Sequence, residues 1–423
     1  MFHICFAADE NYIKYTAVLI TSIIKSTDTS RKFKDFFAQN SAAQSVAGGG
    51  DFENSKQPSK PLNNGLSAYK KLDYTALSDD EKSEGYIFHI LTDKITENSR
   101  KKLEKLAQNL SEIYPCEILV HICNDTIFQG LPKLNGNYLA YFRLFIPNFM
   151  PRDLKMCLYL DTDMLALQDL RGLFALDLSD KVLAAVMDKV EAIKAAYKCK
   201  VIESIEGLHD GGFYFNSGFL LMNLREWQRQ DTQKQCFDFL RDFKPLWHDQ
   251  DALNYAISRD KVLLLPPQYN SFTEYYYDTY KKGNGYTRAQ NIFALIHPVI
   301  LHFCFKPWLA DSALQNEGFE WHSKLFWLDI AVQTPFYRDF EPLLQSYKKA
   351  RTEARIKKEK MVQIEKDEFT RLKNLEHFGG FVKFYTHKQF LVKPKNFLAK
   401  IRRKTRFIRY PIKRFFGFGG ERV

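Results

Sequence analysis

The chain has 423 residues, of which 45% are hydrophobic and 15% aromatic, enough for one large domain with an appendage or for two ordinary domains. This composition excludes a largely disordered chain, and no run of about 18 apolar residues predicts a membrane-spanning helix. Seven scattered cysteines without a CxxC pair are typical of a reduced cytosolic protein. Met1 leads directly into the strand-like FHICFAA without a signal-peptide pattern, so we expect a cytoplasmic protein.

The excess of basic residues is concentrated at one end of the chain. The net charge is +11, yet residues 381–423 alone hold thirteen lysines and arginines against a single acid, Glu421, so the rest is nearly neutral. Ten aromatic residues are interleaved with these cations. The pattern predicts an appended segment that attaches peripherally to an anionic inner-membrane surface, with nucleic-acid binding as the alternative.

Apart from one interruption, the first part of the chain alternates between strand and helix patterns. The strand FHICFAA ends at Asp9, and an amphipathic helix follows from about Lys14 to Lys25. One charged helix, SRKKLEKLAQNLSEIY, lies among four further apolar strand segments. Those strands are YIFHILTD, CEILVHIC, KMCLYLDTD and KVLAAVMD. The order predicts an α/β fold with an open, largely parallel sheet, in which ligands bind at the carboxyl ends of the strands.

Two segments depart from this pattern. Residues 31–85 include SAAQSVAGGGDFENSKQPSKPLNNG, whose small and polar composition predicts a mobile insertion. Residues from Pro342 to Asn374 have the composition of a charged helix, and the basic tail follows them. We therefore predict a main domain over residues 1–310 and a helical, basic and aromatic C-terminal region over residues 311–423.

Several predicted strands end in carboxylates, and one pair of acids gives the sharpest signal. Asp161 and Asp163 follow the apolar strand CLYL and are separated by one residue, while Asp9 and Asp188 end two other strands. Two carboxylates this close repel each other unless a cation lies between them, and a hard divalent ion suits such oxygen ligands. The alternative is a pair of ordinary loop acids or a helix cap. Their position after a buried strand of an α/β fold favours the metal site.

Three further motifs carry polar groups that could take part in chemistry. His302 in LHFCFKPW could complete a metal shell and Lys306 could contact phosphate, although a lone histidine beside a strand is more often a core residue. Asn216, Ser217 and Gly218 precede an apolar strand, and locally they are typical of a turn. The segment HDQDALN places three polar residues at a predicted helix start, where one acid would suffice as a cap.

Taken together, these motifs resemble glycosyltransferase family 8, retaining enzymes that include bacterial lipopolysaccharide galactosyl- and glucosyltransferases. The resemblance covers about residues 1–30 and 86–310. It rests on six motifs in the family's order: FAADENY, AYFRLFIP, CLYLDTDMLAL, YFNSGFLLMNLREW, HDQDALN and HFCFKPW. It implies that the main domain is a GT-A nucleotide-diphospho-sugar transferase domain with a Rossmann-like central sheet.

The resemblance also implies a role for each matching residue. The residues expected to hold uracil and ribose are Ala7, Asp9 and Asn11. Asp161 and Asp163 match the family's DxD motif, which with His302 would bind manganese, or magnesium as the alternative, while Lys306 would contact the diphosphate. The residues expected around the donor sugar are Arg143, Asp188, Asn216, Asp249 and Gln250, with Gln250 near the anomeric carbon. The family pattern HxxGxxKPW departs here, because HFCFKPW is two residues shorter and lacks the glycine.

The sequence therefore predicts a retaining, manganese-dependent enzyme that transfers a hexose, glucose or galactose, from a UDP-sugar to a lipopolysaccharide or lipooligosaccharide acceptor. The expected partners are the donor, the glycolipid and the anionic membrane, with no nucleic acid. Two alternatives stay open from the sequence: a catalytically silent sugar-nucleotide-binding protein and a basic nucleic-acid-binding protein. The second leaves the ordered acids at the strand ends unexplained.

Overall fold

Ten strands form the framework of the described part of the protein, seven in a main sheet and three in a small one. A computed structural model describes residues 1–37, 65–133, 136–188, 213–243, 245–272, 286–303, 306–309 and 319–349, with isolated positions between 352 and 367. The strands are β1 (Phe2–Ala7), β2 (Tyr86–Thr92), β3 (Cys116–Ile122), β4 (Met156–Leu160), β5 (Met164–Ala166), β6 (Leu183–Met187), β7 (Phe215–Asn223), β8 (Val262–Leu264), β9 (Ser271–Phe272) and β10 (Ile300–His302). Most of their side chains are buried, as the continuous apolar runs predict.

The main sheet has the order β3-β2-β1-β4-β7-β6-β8. Strands β3, β2, β1 and β4 are parallel, which confirms the predicted α/β fold with a mostly parallel sheet. Strand β7 is the exception, since it runs antiparallel to both β4 and β6. Its first residues consequently lie at the edge where β4 ends, and the Asp161 N–H donates to the Gly218 carbonyl at 2.8 Å.

In the described part of the chain, nine α-helices have defined bounds, and all but the last lie between strands. Their bounds are α1 (Ile13–Ser26), α2 (Asp79–Lys82), α3 (Glu97–Ser111), α4 (Ile146–Phe149), α5 (Leu224–Arg229), α6 (Thr232–Asp242), α7 (Asp249–Ala256), α8 (Arg288–Ile296) and α9 (Phe319–Ala331). The predicted helices after β1 and β2 are α1 and α3, which lie against β5 and β3 respectively. Helix α7 contacts β7 and so brings the HDQD motif to the same edge of the sheet.

The small sheet has the order β5-β10-β9, with β10 antiparallel to β5 and parallel to β9. Its register pairs His302 with Met164 on one side and with Phe272 on the other. Because Met164 directly follows Asp163, this pairing brings two parts of the chain about 140 residues apart into contact.

A row of three histidines crosses adjacent strands of the main sheet. Nδ1 of His3 lies 2.9 Å from Nε2 of His89, whose own Nδ1 lies 2.9 Å from Nε2 of His121. Burial, helped by the neighbouring His3 and His121, lowers the pKa of His89 to about 3. Burial and the N-terminal ammonium lower the pKa of His3 to about 4, against a weaker opposing effect of Asp153. The row is therefore neutral in the folded protein near neutral pH.

The ends of the segment predicted as a mobile insertion are packed against the main domain. Phe33 and Phe36 are buried in a short 3-10 helix, and Leu66 is buried at the other end. The fully buried Arg171 donates to the Asp28 and Arg31 carbonyls at 2.6 and 3.0 Å, which secures the chain entering the segment. Residues 38–64, the most polar part, lie outside the described residues.

The chain divides into two compact units, one of residues 1–307 and 322–340 and a second of residues 308–321 and 341–423. In the second, residues 341–349 are helical, at the start of the predicted charged helix, and the basic tail lies outside the described residues. No helix in the described part of the chain is long and apolar enough to cross a membrane.

Candidate active site

The acidic pair lies in the short connection between β4 and β5. Strand β4 is almost entirely buried, so Asp161 and Asp163 emerge together at the sheet edge. The Tyr159 hydroxyl donates to Oδ1 of Asp161 at 2.8 Å. The connection is neither a helix nor a helix cap, so the alternative reading of these acids as a cap is wrong.

The small sheet adds His302 to this pair. The Phe303 N–H donates to the Asp163 carbonyl at 2.9 Å, and Nε2 of His302 lies 3.4 Å from Oδ1 of Asp163. One ligand atom from each of Asp161, Asp163 and His302 lies within 4.8 Å of the other two. Two carboxylates and one imidazole form a donor set that suits a divalent ion such as manganese.

A glycine keeps the centre of this cluster open. A Cβ atom at Gly218 would lie 2.6 Å from Oδ2 of Asp161 and 3.0 Å from Cε1 of His302. The same atom would lie 3.0 Å from Oδ1 of Asn216. Since any larger residue would push the proposed ligands apart, the residues present fit a bound cation.

Arg143 lies behind the acidic pair with almost no exposed surface. Its guanidinium donates to the carbonyl and hydroxyl oxygens of Ser217 at 2.7 and 3.0 Å and contacts Oδ1 of Asp161 at 3.0 Å. It also lies over the Tyr159 ring, 4.5 Å from its centroid. Burial alone would lower its pKa, but Asp161 and Asp249 raise it, so the group stays charged. Arg143 therefore offsets part of the negative charge beside the proposed metal site.

Lys306 contacts Oδ2 of Asp163 through its ammonium. Burial alone would raise the pKa of Asp163, but the His302 ring and the Lys306 ammonium hold that pKa below its usual range. Burial likewise opposes the charge of Lys306, whose pKa is nevertheless raised by Asp163. Despite the shortened loop, Lys306 therefore lies at the acidic pair.

A second group of polar side chains lies beside the acids, at the starts of β7 and α7 and directly after β6. The Gln250 amide donates to Oδ2 of Asp188 at 2.7 Å, and Asn216 donates to the same oxygen at 3.2 Å and to Oε1 of Gln250 at 3.0 Å. The Ser217 N–H donates to that Gln250 oxygen at 2.9 Å. All four groups are wholly or partly buried, so their orientations are fixed by one another.

Asp249 is a buried carboxylate with an incomplete set of partners. Its Oδ2 lies 3.2 Å from Nε of Arg143, but the only Nε hydrogen is donated to the Ala140 carbonyl at 3.0 Å. That carboxylate oxygen accepts no hydrogen bond from the described residues. Burial raises the pKa of Asp249, with Arg143 opposing the effect. A buried acceptor without a hydrogen bond is unusual in a folded protein.

The residues predicted to hold the nucleotide base lie at the end of β1. Ala7 is the last residue of that strand, Asp9 accepts from the Tyr12 N–H at 2.9 Å, and Asn11 is exposed. Tyr12 is an electrostatic neighbour of Asp9, Asp163 and Lys306. Because β1 and β4 are parallel neighbours, these residues and the acidic pair share one edge of the sheet.

One local prediction is wrong, and one residue was missed. Asn216, Ser217 and Gly218 belong to β7 and do not form a turn, because this strand pairs with β4 and β6. No acid of HDQDALN caps α7, whose N-terminus has no side-chain cap. Asn270, in none of the motifs, is buried between Asn216 and His302 and hydrogen-bonds to both. Nothing in its local sequence, PPQYNSF, marks it.

The family model of glycosyl transferase family 8 matches residues 3–312. The chain belongs to glycosyltransferase family 8. It is therefore a glycosyltransferase, which confirms the predicted family and enzyme class. Membership accounts for the ordered strand-end acids that a nucleic-acid-binding function leaves unexplained.

Several curated relatives of this family 8 chain act on lipopolysaccharide according to their names. The chain is 31% identical to general stress protein A of Bacillus subtilis over 57% of its own length and 84% of that protein. It is 30% identical to a lipopolysaccharide 1,2-glucosyltransferase of Escherichia coli, over 55% of this chain and 67% of that protein. A lipopolysaccharide 1,3-galactosyltransferase of Salmonella typhimurium is 27% identical, over 53% of this chain and 65% of that protein.

Solved structures confirm the GT-A fold of this family 8 chain. The galactosyltransferase LgtC, in complex with donor and acceptor sugar analogues, matches with a TM-score of 0.52 at 21% identity, over 79% of this chain and 96% of that one. The bifunctional glycosyltransferase WbbM matches with a TM-score of 0.54 at 16% identity, over 80% of this chain and 50% of that one. At these identities the likeness concerns the fold.

Proposed function

We propose that this family 8 enzyme transfers a hexose, glucose or galactose, from a UDP-sugar to a lipopolysaccharide or lipooligosaccharide acceptor, with retention of configuration and dependence on manganese. The names of the relatives in Escherichia coli and Salmonella typhimurium support the acceptor class and both candidate hexoses. Retention follows from the family resemblance.

One observation carries the proposal: ligand atoms of Asp161, Asp163 and His302 lie within 4.8 Å of one another. Beside them is the hydrogen-bonded group of Asp188, Asn216 and Gln250, called the polar pocket below. Asp161, Asp163 and His302 would hold manganese, or magnesium, as in a hard-cation site. When bound, such an ion stabilises the negative charge that develops on a departing diphosphate.

The protein's own cations would act on the same leaving group. Lys306 would exchange its contact with Asp163 for the diphosphate oxygens, and Arg143 would hold Asp161 in place while adding positive potential. Ala7, Asp9 and Asn11 would bind the uracil and ribose at the end of β1. Together these contacts would fix the donor with its diphosphate over the acidic pair.

The polar pocket would receive the donor sugar. Asp188, Asp249 and the amides of Asn216 and Gln250 would bind its hydroxyls, and Gln250 would lie near the anomeric carbon. Asp249 is suited to this role, because its buried oxygen accepts no hydrogen bond from the described residues. Contacts of this kind orient the sugar before the bond to the diphosphate breaks.

A donor panel tests the proposal. We expect UDP-glucose or UDP-galactose to be hydrolysed in the presence of manganese, and chelation of the metal to abolish the reaction. Addition of lipooligosaccharide should convert hydrolysis into transfer. Binding of UDP without any turnover of the panel would contradict the proposal and favour a catalytically silent sugar-nucleotide-binding protein.

The same proposal places the enzyme peripherally at the inner membrane through residues 381–423. Thirteen cationic side chains and ten aromatic ones support it, since each cation near an anionic leaflet contributes roughly 1 kcal/mol. Truncation after Phe378 should release the enzyme from anionic vesicles, spare hydrolysis of free UDP-sugar and impair transfer to a membrane-embedded acceptor. Equal co-sedimentation of full-length and truncated protein at low salt would contradict the attachment.

A further inference from the structure

Asn270 joins the proposed metal ligand His302 to the polar pocket. It is 1% exposed. Its Oδ1 lies 2.8 Å from Nδ1 of His302, and its Nδ2 donates to Oδ1 of Asn216 at 2.9 Å. Asn216 in turn donates to Asp188 and Gln250. A continuous set of hydrogen bonds therefore runs from the imidazole to the residues expected at the donor sugar.

The orientation of each amide in this set can be deduced from one backbone donor. The Gly218 N–H can only donate, and it points at Oδ1 of Asn216 at 3.0 Å, so that atom must be the amide oxygen. The group of Asn270 that faces the same oxygen must then be its NH₂. Its own oxygen consequently faces His302.

This orientation decides which ring nitrogen of His302 carries the hydrogen. An amide oxygen only accepts, so Nδ1 of His302 must donate to Asn270. In the neutral ring, Nε2 then has a free lone pair, and it is this nitrogen that lies 3.4 Å from Oδ1 of Asp163. The ring is thereby held in the form that a metal ion requires of an Nε2 ligand.

The backbone holds Asn270 rigidly beside the ring. Asn270 ends the 3-10 helix Pro267–Asn270, directly before β9, which is parallel to β10. The Val299 N–H donates to the Gln268 carbonyl at 2.8 Å. The Phe272 ring stacks on His302 with 4.8 Å between centroids. The imidazole is thus fixed both by stacking and by its hydrogen bond.

We propose that Asn270 is a positioning residue that sets the tautomer of His302 and couples this metal ligand to Asn216 in the sugar pocket. The inference rests on the metal site of the proposed function. Outer groups that orient a metal-bound histidine typically contribute about 10–100-fold to metal affinity. Asn270 is therefore expected to affect manganese binding as well as the orientation of the donor sugar.

Two substitutions separate these effects. Asn270→Leu keeps the branched shape but removes both hydrogen bonds, so it should weaken manganese binding about 10–100-fold. Asn270→Asp keeps an acceptor for His302 but loses the donor to Asn216. It should retain manganese affinity close to that of the unchanged enzyme while lowering kcat. Affinity is measured by calorimetric titration of manganese with UDP present, and kcat by turnover of the UDP-sugar.

Two controls make the result decisive. Asn254 is similarly buried, but among the described residues its side chain bonds only to the backbone of Phe215 and Gln250. Asn254→Leu should therefore reduce stability without a comparable loss of manganese affinity. Should Asn270→Leu fail to fold, Asn270→Ser, too short to reach the ring, provides the same comparison. Unchanged manganese affinity in both Asn270→Leu and Asn270→Ser would overturn the inference. Unchanged affinity in His302→Ala would instead overturn the metal site itself.

Discussion

Replacing Gly218 with alanine should separate the stability of the fold from the activity of the enzyme. The added Cβ would lie 2.6 Å from Oδ2 of Asp161, whereas ordinary contacts begin at 3.4 Å. The carboxylate would thus have to move by about 0.8 Å. It has little freedom to do so, because Tyr159 and Arg143 hold its other oxygen at 2.8 and 3.0 Å.

A shift of about 1 Å at a reacting centre can reduce the rate about 100-fold, so kcat/KM of Gly218→Ala should fall by about that factor. Stability should change much less. Overpacking costs about 1–3 kcal/mol, while replacing a strand glycine by alanine regains about 0.5–1 kcal/mol. The glycine lies outside the left-handed region of φ, so alanine meets no backbone strain there.

The assay combines UDP-sugar turnover with manganese titration and thermal unfolding. Gly172→Ala is the matched control, since its Cβ would lie 3.0 Å from the ring of Phe36, in the packing of the insertion's end. It should lose stability but keep kcat. Near-normal kcat/KM for Gly218→Ala would refute the idea that the proposed metal ligands need a residue without a side chain at position 218.

Three further outcomes are expected. Asp163→Asn should abolish manganese binding and turnover while the circular dichroism spectrum stays unchanged, since it removes a charged ligand; activity in manganese would contradict the site. Arg143→Lys should lower kcat/KM by at least about tenfold, because an ammonium cannot reproduce the planar fork that joins Ser217 to Asp161. His89 has a pKa of about 3 in the folded protein, below the value of 6.5 in the unfolded chain. Its contribution to the free energy of unfolding is therefore present above pH 6.5 and is lost as the pH falls below that value. Denaturant unfolding should therefore show that the free energy of unfolding falls by about 2 kcal/mol by pH 5 because of this residue. His89→Leu should remove that part of the pH dependence.

The parts of the site that could be predicted are those formed by residues close together in the sequence. Asp161 and Asp163 are separated by one residue and follow a buried strand, so their position at a sheet edge could be predicted from the strand pattern alone. Asp188 was predicted at a strand end for the same reason. The mostly parallel sheet followed from the order of strands and helices.

The parts that could not be predicted depend on pairing between distant segments. The residues at the start of β7 have strong turn propensity, and only their pairing between β4 and β6 makes them a strand. Gly218 matters because that strand is antiparallel to β4, which no local pattern reveals. Asn270 reaches His302 through the β9–β10 pairing, across 32 residues of chain. Phe33 and Phe36 were hidden by the polar composition of the segment that follows them.

The anchoring of the insertion bears on how this chain could have acquired it. Phe36 and Leu66, one near each end of the segment, both lie beside the position where a Cβ of Gly172 would be, at 3.0 and 3.7 Å. The two anchor points are thus neighbours in space. Doubling the length of chain between fixed ends costs only about 0.6 kcal/mol in closure entropy. Residues could accordingly be gained or lost between the two anchors over evolutionary time with little effect on the sheet edge that bears Asp161, and the same place offers a site for grafting a tag or a second domain.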